Sequence, residues 1–383
     1  MSQHYFAVTL PGLEEFTRRE LAGLGIKSRL PAARDEGGEA REESGGVEFH
    51  GGLSNLYKAN LYLRTASRVL LRLGEFRATA FAELRAKAAL LEWETYLLPG
   101  QAVTVRATCH KSRLYHSDGV AERVAAAIGD RLGAPVPPTE PPAQLVVVRI
   151  LHDRVTISLD TSGELLHRRG YRLESAKAPL RETLAAGLLL ASGWDAQSPL
   201  LDPFCGSGTI AIEAALLARR VAPGKNRRFA FMDWPGFNPG VWKALLAEAV
   251  GQELRGCGPI QASDRDAGAV RGAQANAERA GVAADIEFAC QAFSAIQPPR
   301  GPGWVVTNPP YGVRVSEGQD LRNLYSRLGD VLRALCPGWQ VGLLTSSDFL
   351  AGHTRLHFEG NLALHNGGLA VRLYTGRVEG EGA

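Results

Sequence analysis

The sequence is short of cysteine, of net charge and of long apolar runs, and each shortage excludes a class of protein. Its 383 residues include five cysteines, Cys109, Cys205, Cys257, Cys290 and Cys336, with no Cys-x-x-Cys pair and no histidine at metal-ligand spacing. A disulfide framework and a zinc site are therefore not expected, and no other metal is implied. No apolar run reaches the ~18 residues of a membrane span, and the N-terminal segment lacks the charged start, apolar core and cleavage site of a signal peptide. The expectation is a cytoplasmic protein without a membrane partner. Net charge is only +3, so charge alone does not announce a nucleic-acid binder. A full Gly-x-Gly-x-x-Gly fingerprint is also missing, which argues against a pyrophosphate cofactor.

What is present is a 45% apolar composition, enough for a sizeable core, in a chain long enough for two or three domains. Arginines gather at Arg64, Arg68, Arg72 and Arg77, at Arg168, Arg169 and Arg172, and at Arg219, Arg220, Lys225, Arg227 and Arg228. Such clusters either form a phosphate footprint or are ordinary solvated charge. The chain opens with a strand candidate at 5–10 and a Pro-Gly turn, and Leu13, Phe16, Leu21 and Leu24 then fall at helical spacing. A charged, Gly-rich loop is expected at 32–46, a short strand at 47–50 and a helix over 53–73. A strand at 102–108 and a helix from about 119 to 132 follow. The proline run at 135–142 looks like a linker, but the alternating segments 145–150 and 155–159 form a hairpin that cannot stand alone. The main boundary is accordingly placed after it, giving expected units of 1–58, 59–162 and 163–383.

Beyond that boundary strands alternate with helices, the pattern of a parallel sheet with crossovers. Strands are expected at 199–202, 260–264, 286–289, 304–307 and 340–346. Helices are expected at 183–192, 208–220, 239–250, 266–280 and 320–336. Two segments carry chemistry. In Asp202-Pro203-Phe204-Cys205-Gly206-Ser207-Gly208-Thr209 a strand ends in a carboxylate, turns through small residues and opens a helix, so backbone amides can approach a ligand closely. Asp264, with Arg265 after it, ends the next strand, where a carboxylate suits the vicinal hydroxyls of a ribose. In Thr307-Asn308-Pro309-Pro310-Tyr311-Gly312 an amide, two prolines and a ring share one rigid turn. The exocyclic amine of a purine is a weak nucleophile because its lone pair is delocalised. The Asn308 side-chain oxygen and the Pro309 carbonyl can accept hydrogen bonds from such an amine, and Tyr311 can stack on the base.

These segments resemble the cofactor and catalytic motifs of class I S-adenosylmethionine-dependent amino-methyltransferases. The stretches 159–163, 166–172 and 178–186, with Pro11-Gly12-Leu13-Glu14, Lys111-Ser112-Arg113-Leu114-Tyr115-His116-Ser117 and Leu364-His365-Asn366-Gly367, resemble more specifically the THUMP-containing bacterial guanine-N2 RNA methyltransferases. The resemblance implies an α/β fold, a Rossmann-like catalytic domain preceded by an α+β ferredoxin-like segment and a THUMP domain. It implies S-adenosyl-L-methionine held by Asp202, Phe204, Gly206, Ser207, Gly208, Thr209, Asp264, Arg265, Gln291 and Asn308, and catalysis by Asn308, Pro309, Pro310 and Tyr311. Where the family often has an acidic residue near the adenine, this chain has Gln291. The resemblance implies a structured RNA partner, 23S rRNA, gripped by Lys111, Arg113, Arg168, Arg169 and Arg172, and not DNA.

Other functions share these parts. A tRNA guanine-N2 methyltransferase has the same domains, although THUMP relatives acting on tRNA tend to carry Asp-Pro-Pro-Tyr. A DNA adenine methyltransferase would need a target-recognition domain, which residues 1–160 do not resemble. A release-factor glutamine methyltransferase lacks a THUMP domain. A non-catalytic RNA-binding or ribosome-assembly protein would not need Asp202, Asp264 and Asn308 intact.

Overall fold

The computed structural model describes residues 2–31, 45–133, 143–173, 180–311 and 321–380. Gly312, the proline run at 135–142, most of the 32–46 loop and the Ala178-Pro179 part of the junction lie outside them. The first half builds one seven-stranded sheet from β1 (Gln3–Thr9), β2 (Ser28–Arg29), β3 (Gly46–Gly51), β4 (Ala66–Arg77), β5 (Val103–His110), β6 (Gln144–Leu151) and β7 (Arg154–Asp160), in the order β2-β3-β1-β4-β7-β6-β5. Helices α1 (Glu14–Gly23), α2 (Leu53–Tyr62), α3 (Phe81–Ala89) and α4 (Ser117–Leu132) accompany it.

The expected helix over 53–73 is corrected here. It ends at Tyr62, Leu63 turns to extended backbone, and Ala66–Arg77 is a strand. The apolar spacing of the region suits both periods. Pairing decides: β4 lies between β1 and β7, bonded to both, and buries Val69 and Leu71. This strand joins the ferredoxin-like and THUMP portions in one sheet.

The second half contains α5 (Glu182–Ala191), β8 (Leu200–Asp202), α6 (Thr209–Ala218), α7 (Pro239–Gly251), β9 (Ile260–Asp264), α8 (Ala267–Ala280), β10 (Ile286–Cys290), β11 (Trp304–Thr307), α9 (Arg322–Leu335), β12 (Gln340–Thr345), α10 (Asp348–His353), β13 (Phe358–Asn366) and β14 (Leu369–Arg377). The sheet order is β10-β9-β8-β11-β12-β14-β13, with β14 antiparallel to both neighbours. Side chains alternate across it. Leu200, Ala262, Val306 and Leu344 pack with α5, α6 and α8, while Leu201, Val305, Val341 and Leu343 pack with α9. The order reverses between β8 and β11, and the crevice beyond the carboxyl ends of strands at such a point is where open α/β sheets bind ligands.

The halves are welded together. After α6 the chain leaves the second sheet, and Phe229, Phe231, Trp234 and Trp242 are buried in the core of the first half. Tyr57 stacks on Phe231 at 4.7 Å, the Phe231 amide donates to Thr161 O at 3.1 Å, and Trp234 Nε1 donates to Gln144 Oε1 at 2.9 Å. In return Leu13 is buried in the core of the second half, against Gly187.

Candidate functional site

Three strand ends build the site. Asp202 closes β8 and is buried; its Oδ1 accepts from Thr307 Oγ1 at 2.7 Å and from the Phe204 amide at 3.2 Å. Among the described residues both of its bonds go to Oδ1, which leaves Oδ2 for a ligand. Burial, with the nearby charge of Asp264 adding to it, pushes the Asp202 carboxyl up to about 7, because an uncompensated charge is costly in a dry site. A cationic ammonium placed beside Oδ2 would restore the ionised form.

The turn after β8 is shaped by two left-handed glycines. Gly206 has φ +51° and Gly208 φ +81°. A Cβ on Gly208 would lie 2.9 Å from the Ala273 Cβ, so this glycine permits close packing on α8. A Cβ on Gly206 would meet no atom within 4 Å and would instead fill open space. The Gly206 amide donates to Asp264 Oδ2 at 3.0 Å, and Asp264 Oδ1 accepts from the Asp266 amide. Asp264 thus ties the turn to β9 while remaining half-buried. Ser207 and Thr209 are buried at the start of α6, which has no side-chain cap; its first amides remain available to a ligand. Asn276 Nδ2 on α8 holds Ser207 O at 3.1 Å. Phe204 is half-buried, its ring 5.2 Å from that of Phe293.

Beside Asp264 a cleft opens that is lined by Gln261, Ser263, Glu287, Ala289 and Gln291. Among the described residues the buried Ser263 Oγ has no hydrogen-bond partner. Gln291 lines this cleft, and Arg265 is exposed.

At the end of β11 the Asn308 Oδ1 is buried and has no hydrogen-bond partner among the described residues. Leaving such an oxygen unsatisfied costs about 1–3 kcal/mol, which a donor from a ligand placed beside it would remove. Pro309 is buried and Pro310 exposed. The turn is braced from both sides: the Tyr325 hydroxyl lies 3.2 Å from Pro310 O, and Asn366 Nδ2 donates to the Tyr311 hydroxyl at 3.1 Å. Burial raises the Tyr311 phenol above its ordinary value, so it stays neutral. Together the strand ends offer a buried carboxylate, a glycine turn, a second, half-buried carboxylate and an unsatisfied amide oxygen.

The model of the RMKL-like methyltransferase domain matches residues 169–360. The chain belongs to this methyltransferase family. The RlmL ferredoxin-like domain matches 4–70 and the THUMP domain 78–160. The ribosomal RNA large subunit methyltransferase K/L of Syntrophotalea carbinolica is 37% identical over 96% of this chain and 53% of its own length. A Synechocystis protein named as an RNA methyltransferase, slr0064, is 33% identical over 96% of this chain and 95% of its own. The chain spans about half the length of the K/L relatives it matches. The crystal structure of SMU.472, described as a methyltransferase complexed with SAH, is 30% identical, covers 100% of this chain and 99% of its own, and superposes with a TM-score of 0.88. The α/β architecture expected from the sequence, with ferredoxin-like, THUMP and Rossmann-like parts, is thereby established. No helix among the described residues is long and apolar enough to cross a membrane, and no cluster of metal-ligating side chains occurs among them.

The arginine footprint is corrected in part. Arg169 is buried: its Nη1 donates to Leu166 O and its Nη2 to Arg64 O, both at 2.7 Å, and its Nε lies 3.5 Å from Glu213 Oε1. Arg172 donates to Leu180 O at 2.7 Å and to Glu182 Oε2 at 2.9 Å. Arg64 reaches across to Val221 O at 2.6 Å, and Arg227 to Leu165 O at 3.0 Å. These guanidinium groups bind carbonyls and carboxylates at the junction of the two halves, so Arg169 and Arg172 are not free to meet phosphate. Arg168, Lys111 and Arg113 are exposed. No role is assigned to Thr307, Ser263 or Asn276 from the sequence, although Thr307 adjoins Asn308 and Ser263 adjoins Asp264 in the two motifs; Asn276 had no local signal.

Proposed function

We propose that this chain transfers the methyl group of S-adenosylmethionine to N2 of a guanine in 23S ribosomal RNA. The observation that carries the proposal is the buried, unpartnered Asn308 Oδ1 at the switch point, next in the chain to Thr307, whose hydroxyl holds Asp202. Asp202 and the amides around Gly206 would hold the methionine end of the cofactor, Asp264 the ribose, and Gln291 with the cleft at Ser263 the adenine. The cofactor supplies an electrophilic methyl group. Asn308 Oδ1 and the Pro309 carbonyl accept from the target amine, which turns its lone pair toward that methyl and stabilises the charge developing on nitrogen. Tyr311 packs against the base. No strong base is needed, since the alkylated nitrogen sheds its proton readily to water. Unstacking the guanine costs a few kcal/mol, offset by phosphate contacts from exposed cations such as Lys111, Arg113 and Arg168.

The relatives named for the large ribosomal subunit favour 23S rRNA over tRNA. Methyl transfer from labelled S-adenosylmethionine to separately purified 23S rRNA and tRNA, from cells lacking this gene, tests the choice. Label in 23S rRNA that disappears with Asn308→Ala supports the reading. Label in tRNA alone replaces the substrate, and cofactor binding without transfer to either RNA overturns it.

A further inference from the structure

The turn that carries the target-base ring is anchored by a residue far away in sequence. Tyr311 ends the described part of the Asn-Pro-Pro-Tyr segment, and its hydroxyl accepts from Asn366 Nδ2 at 3.1 Å. Asn366 is the last residue of β13, paired with Leu369 across a two-glycine turn in which Gly367 and Gly368 have φ +58° and +90°. A two-residue turn of this left-handed type sets the register of the hairpin tightly. Asn366 therefore presents its amide from a defined point.

The hairpin is itself seated on the N-terminal half. Gly12 has φ +97°, and a Cβ there would lie 2.4 Å from Ala363 O and 3.1 Å from Leu364 Cδ2. Leu364 and Leu13 are buried in one core with α5. Backbone-to-backbone approach of this closeness leaves the hairpin little room to slide against the Pro11-Gly12 turn.

We infer that Asn366 is a positioning residue for base capture: it tethers the Tyr311 ring to a hairpin registered against the N-terminal half. The inference rests on the proposed function, in which Tyr311 packs on the target base. Asn366 acts through Tyr311 rather than on cofactor or reacting atoms directly. Its effect passes through one phenolic oxygen, which makes it separable from general folding.

The test is a double-mutant cycle on the full chain. Asn366→Ala, Tyr311→Phe and the double variant are compared with the wild type in single-turnover transfer to 23S rRNA at saturating cofactor, alongside calorimetric cofactor affinity. Each single change should slow transfer about tenfold, the scale of one lost hydrogen bond. Cofactor affinity should stay within about twofold, and the double variant should be no slower than either single one. Asn366→Asp, which keeps the tether with the phenol donating to the carboxylate, should recover most of the rate. A rate for Asn366→Ala within about twofold of wild type, or losses that multiply in the double variant, would overturn the inference. Transfer to adenine or to tRNA by the wild type would count against the proposed substrate and leave the cycle readable. If no RNA accepts a methyl group, amide hydrogen exchange over residues 304–311 decides: faster exchange in Asn366→Ala supports the tether, and unchanged exchange refutes it.

Discussion

Replacing Asn308 by alanine separates function from stability in a direction that a structural residue would not show. Its Oδ1 is buried without a partner among the described residues, so it contributes no hydrogen bond to the fold and carries a desolvation cost of about 1–3 kcal/mol. Truncation removes that cost and, against it, loses the packing of two or three atoms, on the order of 1 kcal/mol. The two nearly cancel, and the midpoint of thermal unfolding should move by a few degrees at most. The rate should not cancel. An acceptor that strengthens as charge develops on the amine resembles a preorganised oxyanion donor, whose removal costs about 3 kcal/mol, on the order of 100–1,000-fold in kcat. The assay is single-turnover methyl transfer beside calorimetric cofactor binding and thermal unfolding. Transfer within about threefold of wild type, or activity lost only in step with stability, would refute the reasoning.

Five further variants test the same geometry. Burial pushes the Asp202 carboxyl from its ordinary 3.8 up to about 7, so between those values the folded state holds a proton that the unfolded state has released. Its contribution to stability therefore falls as pH rises through that window; Asp202→Asn should be more stabilised relative to wild type at pH 8 than at pH 5 in thermal unfolding, while binding cofactor more weakly. Gly206→Ala should fold and lose about tenfold or more in cofactor affinity by calorimetry, because its Cβ enters open space, whereas Gly208→Ala should lose stability because its Cβ meets Ala273. Arg169→Ala should destabilise the chain by about 3 kcal/mol in denaturant unfolding, by leaving the buried Glu213 without its nearest cation and with only the Tyr171 hydroxyl as a donor among the described residues, and leave the salt dependence of RNA binding unchanged. Arg113→Ala should do the reverse, lowering the slope of log affinity against log salt by about 1.

The Rossmann-like half was legible in the sequence because its signals are local. Asp202, the glycines after it and Asn308 each sit at a strand end where backbone geometry restricts residue choice, and the alternation of strands with helices exposes a parallel sheet. The strand β4 was not legible, because Leu53–Leu73 carries apolar residues compatible with both periods, and only pairing with β1 and β7 resolves them. The arginines misled for a related reason. A guanidinium aimed at a carbonyl across a junction, as Arg64 is at Val221 and Arg227 at Leu165, is indistinguishable in sequence from one aimed at phosphate. Asn276 was silent because its partner, Ser207, is distant in the chain, and the bond from Thr307 to Asp202 was hidden for the same reason although Thr307 stands in the turn motif.

The most direct test of the central claim is the identity of the methylated atom. After transfer from labelled S-adenosylmethionine, digestion of the 23S rRNA to nucleosides and mass analysis should place the label in N2-methylguanosine. Label in N6-methyladenosine, or in any nucleoside other than a guanosine methylated at N2, would contradict it.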